Sequence, residues 1–215
     1  MTSINWNRVL FVALGALCTV AVFALFYCIP VFGQACGVER ADIKQLKDPL
    51  GSQIDVAKKN WQVTKTTVAD LLKIPAHAKG ALLKESGIRI APVENMVYEI
   101  NAVLIGFKRE TDQDIHIVIA DPGNLRATMI VEIPAGVCVA SKNKAYFVKL
   151  QTSFQSRFGK ATAKFKKLAK PQPFDVTGVG FFDFVHGQIG HATNGIELHP
   201  VLGFTNTPTK SGAGK

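Results

Sequence analysis

The order of strand-like and helical stretches in residues 96–205 constrains the fold most. Three stretches with the two-residue alternation of β-strands come first: MVYEINAVLIGF, DIHIVIAD and ATMIVEIP. In the segment 146–158, large apolar side chains then recur three and four residues apart, at Phe147, Leu150, Phe154 and Phe158, which predicts a helix. Two more strand-like stretches follow, FDVTGVGFFDF and GIELHPVLGF. The sequence therefore predicts the order β-β-β-α-β-β.

This order is typical of the OB-fold, a five-stranded barrel in which strands two, three and five are neighbours. We therefore predict a mainly β protein with helices, whose OB-fold-like domain spans residues 93–205. A mixed loop and helix extension over 36–92 is expected to pack on the barrel, and 206–215 is expected to be a flexible tail. A different α+β sheet with the same element order is the alternative.

The N-terminus carries an apolar run without charges over residues 9–32. At about 1.5 Å per residue, such a helix crosses a hydrocarbon core of about 30 Å. Gly33-Gln34-Ala35 would also suit a signal-peptide cleavage site. Residues 1–35 are therefore predicted to be a transmembrane anchor, with the membrane as partner, or a cleaved signal. Both interpretations export the rest of the chain.

Two of the four cysteines, Cys36 and Cys138, lie outside the apolar run. In an oxidising compartment two lone cysteines are expected to pair, which makes them a candidate disulfide. The sequence leaves open whether their Cα atoms lie close enough.

The formal net charge is +9, and much of it lies in the lysine-rich stretch 159–170, GKATAKFKKLAK. Such a cluster could contact nucleic acid or another anionic ligand. It could equally be a solvated helix face or a linker.

The predicted second strand alternates polar and apolar side chains. Asp114 and His116 share one face, whereas Ile115, Ile117 and Ile119 share the other. The third and fifth strands add further acids and a histidine, so neighbouring strands would place five polar side chains on one surface. Because imidazole and carboxylate bind divalent metals, they are candidate metal and binding residues: Asp114, His116, Glu132, Glu197 and His199. A wetted surface with ordinary cross-strand pairs is the alternative.

The glycine-rich connection FVHGQIGHATNG precedes the fifth strand. It adds His186, His191 and Asn194 as candidate binding residues. Asn194-Gly195 would also suit a tight turn.

The stretch DQDIHIVIAD…TMIVEIP resembles the staphylococcal nuclease family, which has an OB-fold. The resemblance implies that Asp114 and Glu132 match that family's two calcium-binding acidic positions. Ala135 stands where the family has its catalytic glutamate, and Arg126 is about one residue out of register with its phosphate-binding arginine. These departures count against that family's mechanism of hydrolysis but not against a metal site.

A longer resemblance, to an exported bacterial family of unassigned activity, covers nearly all of the chain after the apolar run. Its motif blocks are CGVERADIKQLKDP, DIHIVIAD…TMIVEIPAGVC and GVGFFDFVHGQIGHATNGIELHPVLGF. It implies one integral domain in the bacterial envelope, anchored to the inner membrane or secreted. Both Cys36 and Cys138 fall in these blocks, which supports their pairing.

These observations favour an exported binding module, with a divalent metal as the candidate cofactor. A metal-dependent phosphodiesterase or nuclease and an envelope structural protein are the alternatives. The sequence does not decide whether the protein is an enzyme, nor its oligomeric state.

Overall fold

A computed structural model describes residues 36–37, 39–77 and 87–206. The predicted anchor or signal segment 1–35 and nearly all of the predicted tail lie outside the described residues. Within the described ranges, no helix is long and apolar enough to cross a membrane.

The described part of the chain is mainly β, which confirms that part of the prediction. Its strands are β1 (Val63–Thr66), β2 (Val97–Ile100), β3 (Val103–Arg109), β4 (Ile115–Asp121), β5 (Asn124–Ile133), β6 (Lys166–Pro173), β7 (Asp175–Phe182) and β8 (Ile196–Thr205). Its helices are α1 (Ala41–Lys44), α2 (Val68–Leu71) and α3 (Lys144–Phe158). Short 3-10 helices lie at Gly51–Gln53, Val93–Asn95 and Ser141–Asn143.

The strands form one sheet in the order β1-β2-β7-β8-β5-β4-β3-β6. It has eight strands where the sequence predicted five. The predicted first strand is divided at Asn101 and Ala102, so that β2 pairs with β7 while β3 pairs with β4. β1 lies in the predicted loop extension and pairs with β2. The described sheet thus has β1 and β6 at its two ends.

The lysine-rich stretch is neither a helix face nor a linker throughout, because its second half is the edge strand β6. Nearly all side chains of β6 are exposed, and β6 is joined to the sheet by backbone pairing with β3. An exposed edge strand needs no apolar face, so its sequence shows no alternation. Lysines and prolines on such an edge also hinder pairing with other chains.

The predicted second, third and fifth strands are neighbours, as the sequence indicated. β4 pairs antiparallel with β5, and β5 pairs parallel with β8. Ile115, Ile117 and Ile119 are fully buried in the main core, together with Phe147 and Phe154 of α3. The predicted apolar face of β4 is confirmed.

The segment after residue 35 is fastened to the sheet at two points. Cys36 and Cys138 have disulfide geometry, with their Cα atoms 5.5 Å apart. The Arg40 guanidinium donates to both carboxylate oxygens of Glu94, at 2.6 and 2.7 Å, and lies 4.8 Å above the Phe181 ring. Gly37, Glu39 and Lys44 of this segment line one cavity together with His116 of β4 and Glu132 of β5.

Candidate metal centre

The strand register places the polar side chains of β4, β5 and β8 on one face. His116 lies opposite Glu132, and Glu197 lies opposite Ile130, two residues before Glu132. His199 follows on the same side of β8. All four side chains are buried, and His199 is 0% exposed. The face is therefore not the solvated surface that the sequence left open.

Both ring nitrogens of His116 have polar partners. Its Nε2 lies 3.0 Å from the carbonyl oxygen of Ile189. Because a carbonyl can only accept, Nε2 carries the proton. Nδ1 lies 3.1 Å from Oε1 of Glu132 and 3.3 Å from Oε1 of Glu110. Nδ1 is hydrogen-bonded to Glu132 in this structure, and the same nitrogen could bind an ion while Nε2 donates to the backbone carbonyl, as in metal-bound histidines.

A glycine brings that carbonyl to His116. Gly190 has φ +82°, and a Cβ there would lie 2.3 Å from a methyl group of Val118. Only glycine therefore lets the loop lie this close to β4, with Ile189 over the histidine.

His199 lies between two carboxylates. Its Nδ1 is 3.1 Å from Oε2 of Glu132, and its Nε2 is 3.4 Å from Oδ2 of Asp114. Neither contact has the geometry of a hydrogen bond. The other oxygen of Asp114 accepts from the backbone N–H of Ala135 at 2.7 Å. His199 is thus a buried imidazole surrounded by acids without a hydrogen bond of its own.

These contacts shift two pKa values in opposite directions. Burial raises the pKa of Glu132, but contacts with His116 and His199 outweigh burial and hold the pKa well below its ordinary value. Burial lowers the pKa of His199, but Asp114 and Glu132 outweigh it and raise the pKa to about 9. Without a metal ion, the acids therefore hold a proton on His199 at neutral pH.

Two further buried groups respond to the same acids. Burial, with Asp183 and Glu132 nearby, raises the pKa of Glu197 well above its ordinary value. Burial lowers the pKa of Lys44, but Asp183, Glu132 and Glu197 outweigh it and raise that pKa. Negative charge therefore dominates the field around this cluster.

The donor atoms fall into two groups that share one residue. Within each group, one ligand atom from every residue lies within 4.8 Å of the others. The cavity group is Glu110, His116 and Glu132, and the buried group is Asp114, Glu132 and His199.

A cavity of about 450 Å³ opens beside the cavity group. Five carboxylates and two lysines line it, which leaves an excess of three formal negative charges. The carboxylates are Glu39, Glu110, Asp112, Glu132 and Asp183, and the lysines are Lys44 and Lys108. Both lysines are already paired, since Lys108 lies 2.8 Å from Glu110 and Lys44 lies 3.4 Å from Asp183. The lining therefore favours a cation over an anion.

The remaining predicted residues occupy different places. His186 is exposed and lines the cavity, whereas His191 is not part of the lining. Asn194 is buried and donates to the carbonyl oxygens of Leu71 and Ile74, both at 2.9 Å. Its side chain thus joins the turn before β8 to the end of α2.

Sequence reasoning missed Glu110, Asp112, Lys44 and Asp183 as neighbours of the cluster. The acid-rich turn ETDQD before β4 was a signal for the first two, but it resembles an ordinary solvated turn. Lys44 lies far from the strands in sequence, and only the docking of the N-terminal segment brings it to the cavity.

Comparison with known proteins gives no match, either to a protein-family model, to a curated protein or to a solved structure.

Proposed function

We propose that this protein is an exported metal-binding module, which holds a divalent transition-metal ion at the floor of the cavity. The ligands are Glu110, His116 and Glu132. The observation that carries the proposal is the orientation of His116, whose Nδ1 faces two carboxylate oxygens while its Nε2 is held by a backbone carbonyl.

The distances support a metal ion at this position. Neighbouring ligand atoms about 2.0–2.2 Å from an ion lie about 2.8–3.6 Å from one another across octahedral and tetrahedral geometry. The Nδ1 of His116 lies 3.1 and 3.3 Å from the two carboxylate oxygens. One imidazole with two carboxylates and no thiolate suits zinc or manganese.

A site with three protein ligands beside a cavity leaves a coordination position for water or a small molecule. The excess of carboxylates in the lining disfavours an anionic ligand, nucleic acid included, unless the metal ion binds it.

An OB-type arrangement of the sheet is part of this proposal. Only two residues separate β2 from β3, so the two would act as one bent first strand. That strand pairs with β7 at one end and with β4 at the other, and β5 pairs parallel with β8. These pairings support the order expected for an OB barrel, with the candidate site on its second, third and fifth strands.

Export to the bacterial envelope, by anchor or by cleaved signal, rests on the apolar run over residues 9–32. The disulfide geometry of Cys36 and Cys138 supports it, because such bonds persist in oxidising compartments.

Metal content tests the proposal. The full-length chain, purified in mild detergent and dialysed against zinc or manganese, should retain metal in elemental analysis, and His116→Ala should lose it. His191→Ala is the matched control, since His191 lies outside both donor groups. Equal metal content in the His116 and His191 variants would refute the proposal.

Metal-dependent hydrolysis of phosphodiesters is the second candidate function, because the cavity beside the metal position has room for a substrate. Hydrolysis of bis(p-nitrophenyl) phosphate with added manganese tests it, and no difference between the wild type and His116→Ala would exclude it.

A further inference from the structure

Asp114 and His199 of the buried donor group do not bind the ion proposed above. We infer that the centre holds two divalent ions, the second bound by Asp114, Glu132 and His199, with Glu132 bridging the pair. This inference rests on the proposed function, since the first ion is the one at the cavity floor.

The carboxylate of Glu132 is divided between the two donor groups. Its Oε1 lies 3.1 Å from Nδ1 of His116, and its Oε2 lies 3.1 Å from Nδ1 of His199. A carboxylate with one oxygen at each of two sites can bridge two ions about 3.5–4 Å apart, as in two-metal centres.

The environment of His199 is independent evidence for a ligand in the buried group. Its side chain is 0% exposed, and neither ring nitrogen forms a hydrogen bond. Each nitrogen faces a carboxylate oxygen, with Glu132 3.1 Å from Nδ1 and Asp114 3.4 Å from Nε2. An ion bound at one ring nitrogen would give the imidazole its missing partner.

Asp114 is oriented for the same ion. Its Oδ1 is held by the backbone N–H of Ala135, which leaves Oδ2 directed at the His199 side. A metal-binding carboxylate whose other oxygen accepts a hydrogen bond is a common arrangement.

The carboxylates of the buried face also favour bound cations. Asp183, Glu132 and Glu197 lie near Lys44, and Asp114 and Glu132 lie beside His199. Buried carboxylates are normally paired or bound to metal ions.

The number of ions per chain tests the inference. Native mass spectrometry of the full-length chain in detergent, loaded with manganese, should show two ions in the wild type. Glu110→Gln removes a ligand of the cavity ion alone and should leave one. Asp114→Asn removes a ligand of the buried ion alone and should also leave one, while its side-chain oxygen can still accept from Ala135. Asp121→Asn, at the far end of β4, is the matched control and should keep two.

A second measurement does not depend on the variants. Two manganese ions bridged by one carboxylate should give an exchange-coupled electron paramagnetic resonance spectrum, whereas a single ion gives six lines.

The outcomes separate the two proposals. One ion in the wild type that survives Asp114→Asn and is lost in Glu110→Gln would overturn the second ion and leave the proposed function standing. One ion that is lost in Asp114→Asn and kept in Glu110→Gln would overturn both the pair and the cavity ion. No ion in the wild type would overturn both proposals.

Discussion

In the metal-free protein, the free energy of unfolding should fall as pH rises. His199 determines this direction, because its pKa is raised in the folded chain. In the metal-free protein the pKa of His199 is raised from 6.5 to about 9 by Asp114 and Glu132. Below pH 6.5 the histidine is protonated in the folded and unfolded chains, and its stabilising effect is complete. Between pH 6.5 and 9 only the folded chain keeps the proton, so the stabilisation declines and is lost above pH 9.

The magnitude follows from the pKa difference. A difference of about 2.5 pH units at about 1.36 kcal/mol each amounts to about 3 kcal/mol lost between pH 6.5 and 9. Glu197, whose pKa is also raised, contributes with the same sign, because a raised folded pKa always favours the folded state at low pH. Glu197→Gln removes that contribution and leaves the contribution of His199.

Urea unfolding of the EDTA-treated Glu197→Gln chain, followed by tryptophan fluorescence at several pH values, measures the effect. Adding His199→Gln should abolish the decline, whereas adding His191→Gln should leave it unchanged. Stability that is level or rises between pH 6.5 and 9 with His199 intact would refute the reasoning.

The proposed metal ion should offset this decline between pH 6.5 and 9. Ligation needs the neutral imidazole, so a metal ion competes with the proton on His199. Zinc at about 100 times its dissociation constant should stabilise the fold by about 2.7 kcal/mol. That gain should grow, not shrink, as pH rises from 6.5 to 9. A gain that is independent of pH would place the ion away from the histidines.

Three further predictions concern the segments that cover the site and precede it. Reducing the Cys36–Cys138 bond, which closes a separation of 102 residues, should lower the free energy of unfolding by up to about 4.7 kcal/mol, measured from denaturant midpoints with and without reductant; equal midpoints would show that the bond does not form. Arg40→Met leaves the buried carboxylate of Glu94 without its ion pair and should cost about 3–5 kcal/mol, and adding Glu94→Gln should recover part of that loss; no recovery would contradict the pairing argument. Removing residues 1–35 should give a soluble chain while the full-length chain stays with membranes, and a full-length chain in the cytosolic fraction would contradict export.

The phase and neighbours of the strands that carry the candidate site could be predicted from the sequence, because strand periodicity is local. Alternation in β4 predicts that Asp114 and His116 face away from the buried isoleucines, and the element order predicts that β4, β5 and β8 are neighbours. The phase of a strand depends only on its own residues, and the apolar face fixes it strongly. The start of the short helix α2 is also decided locally, because Thr67 accepts from the backbone N–H of Asp70 at its first turn.

The tertiary structure alone decided how deeply that polar face is buried. The loop at Ile189 contacts His116, and Lys44, which lies about 70 residues before β4, comes near Glu132 and Glu197. The tertiary structure also decided that β6 is a strand, since backbone pairing with β3 needs no pattern of side chains. Long-range ion pairs and edge pairing leave no local periodicity in a sequence, because the groups that satisfy them belong to distant segments. For the same physical reason the sequence predicted five polar residues on one surface, whereas only the tertiary structure shows that all five are buried.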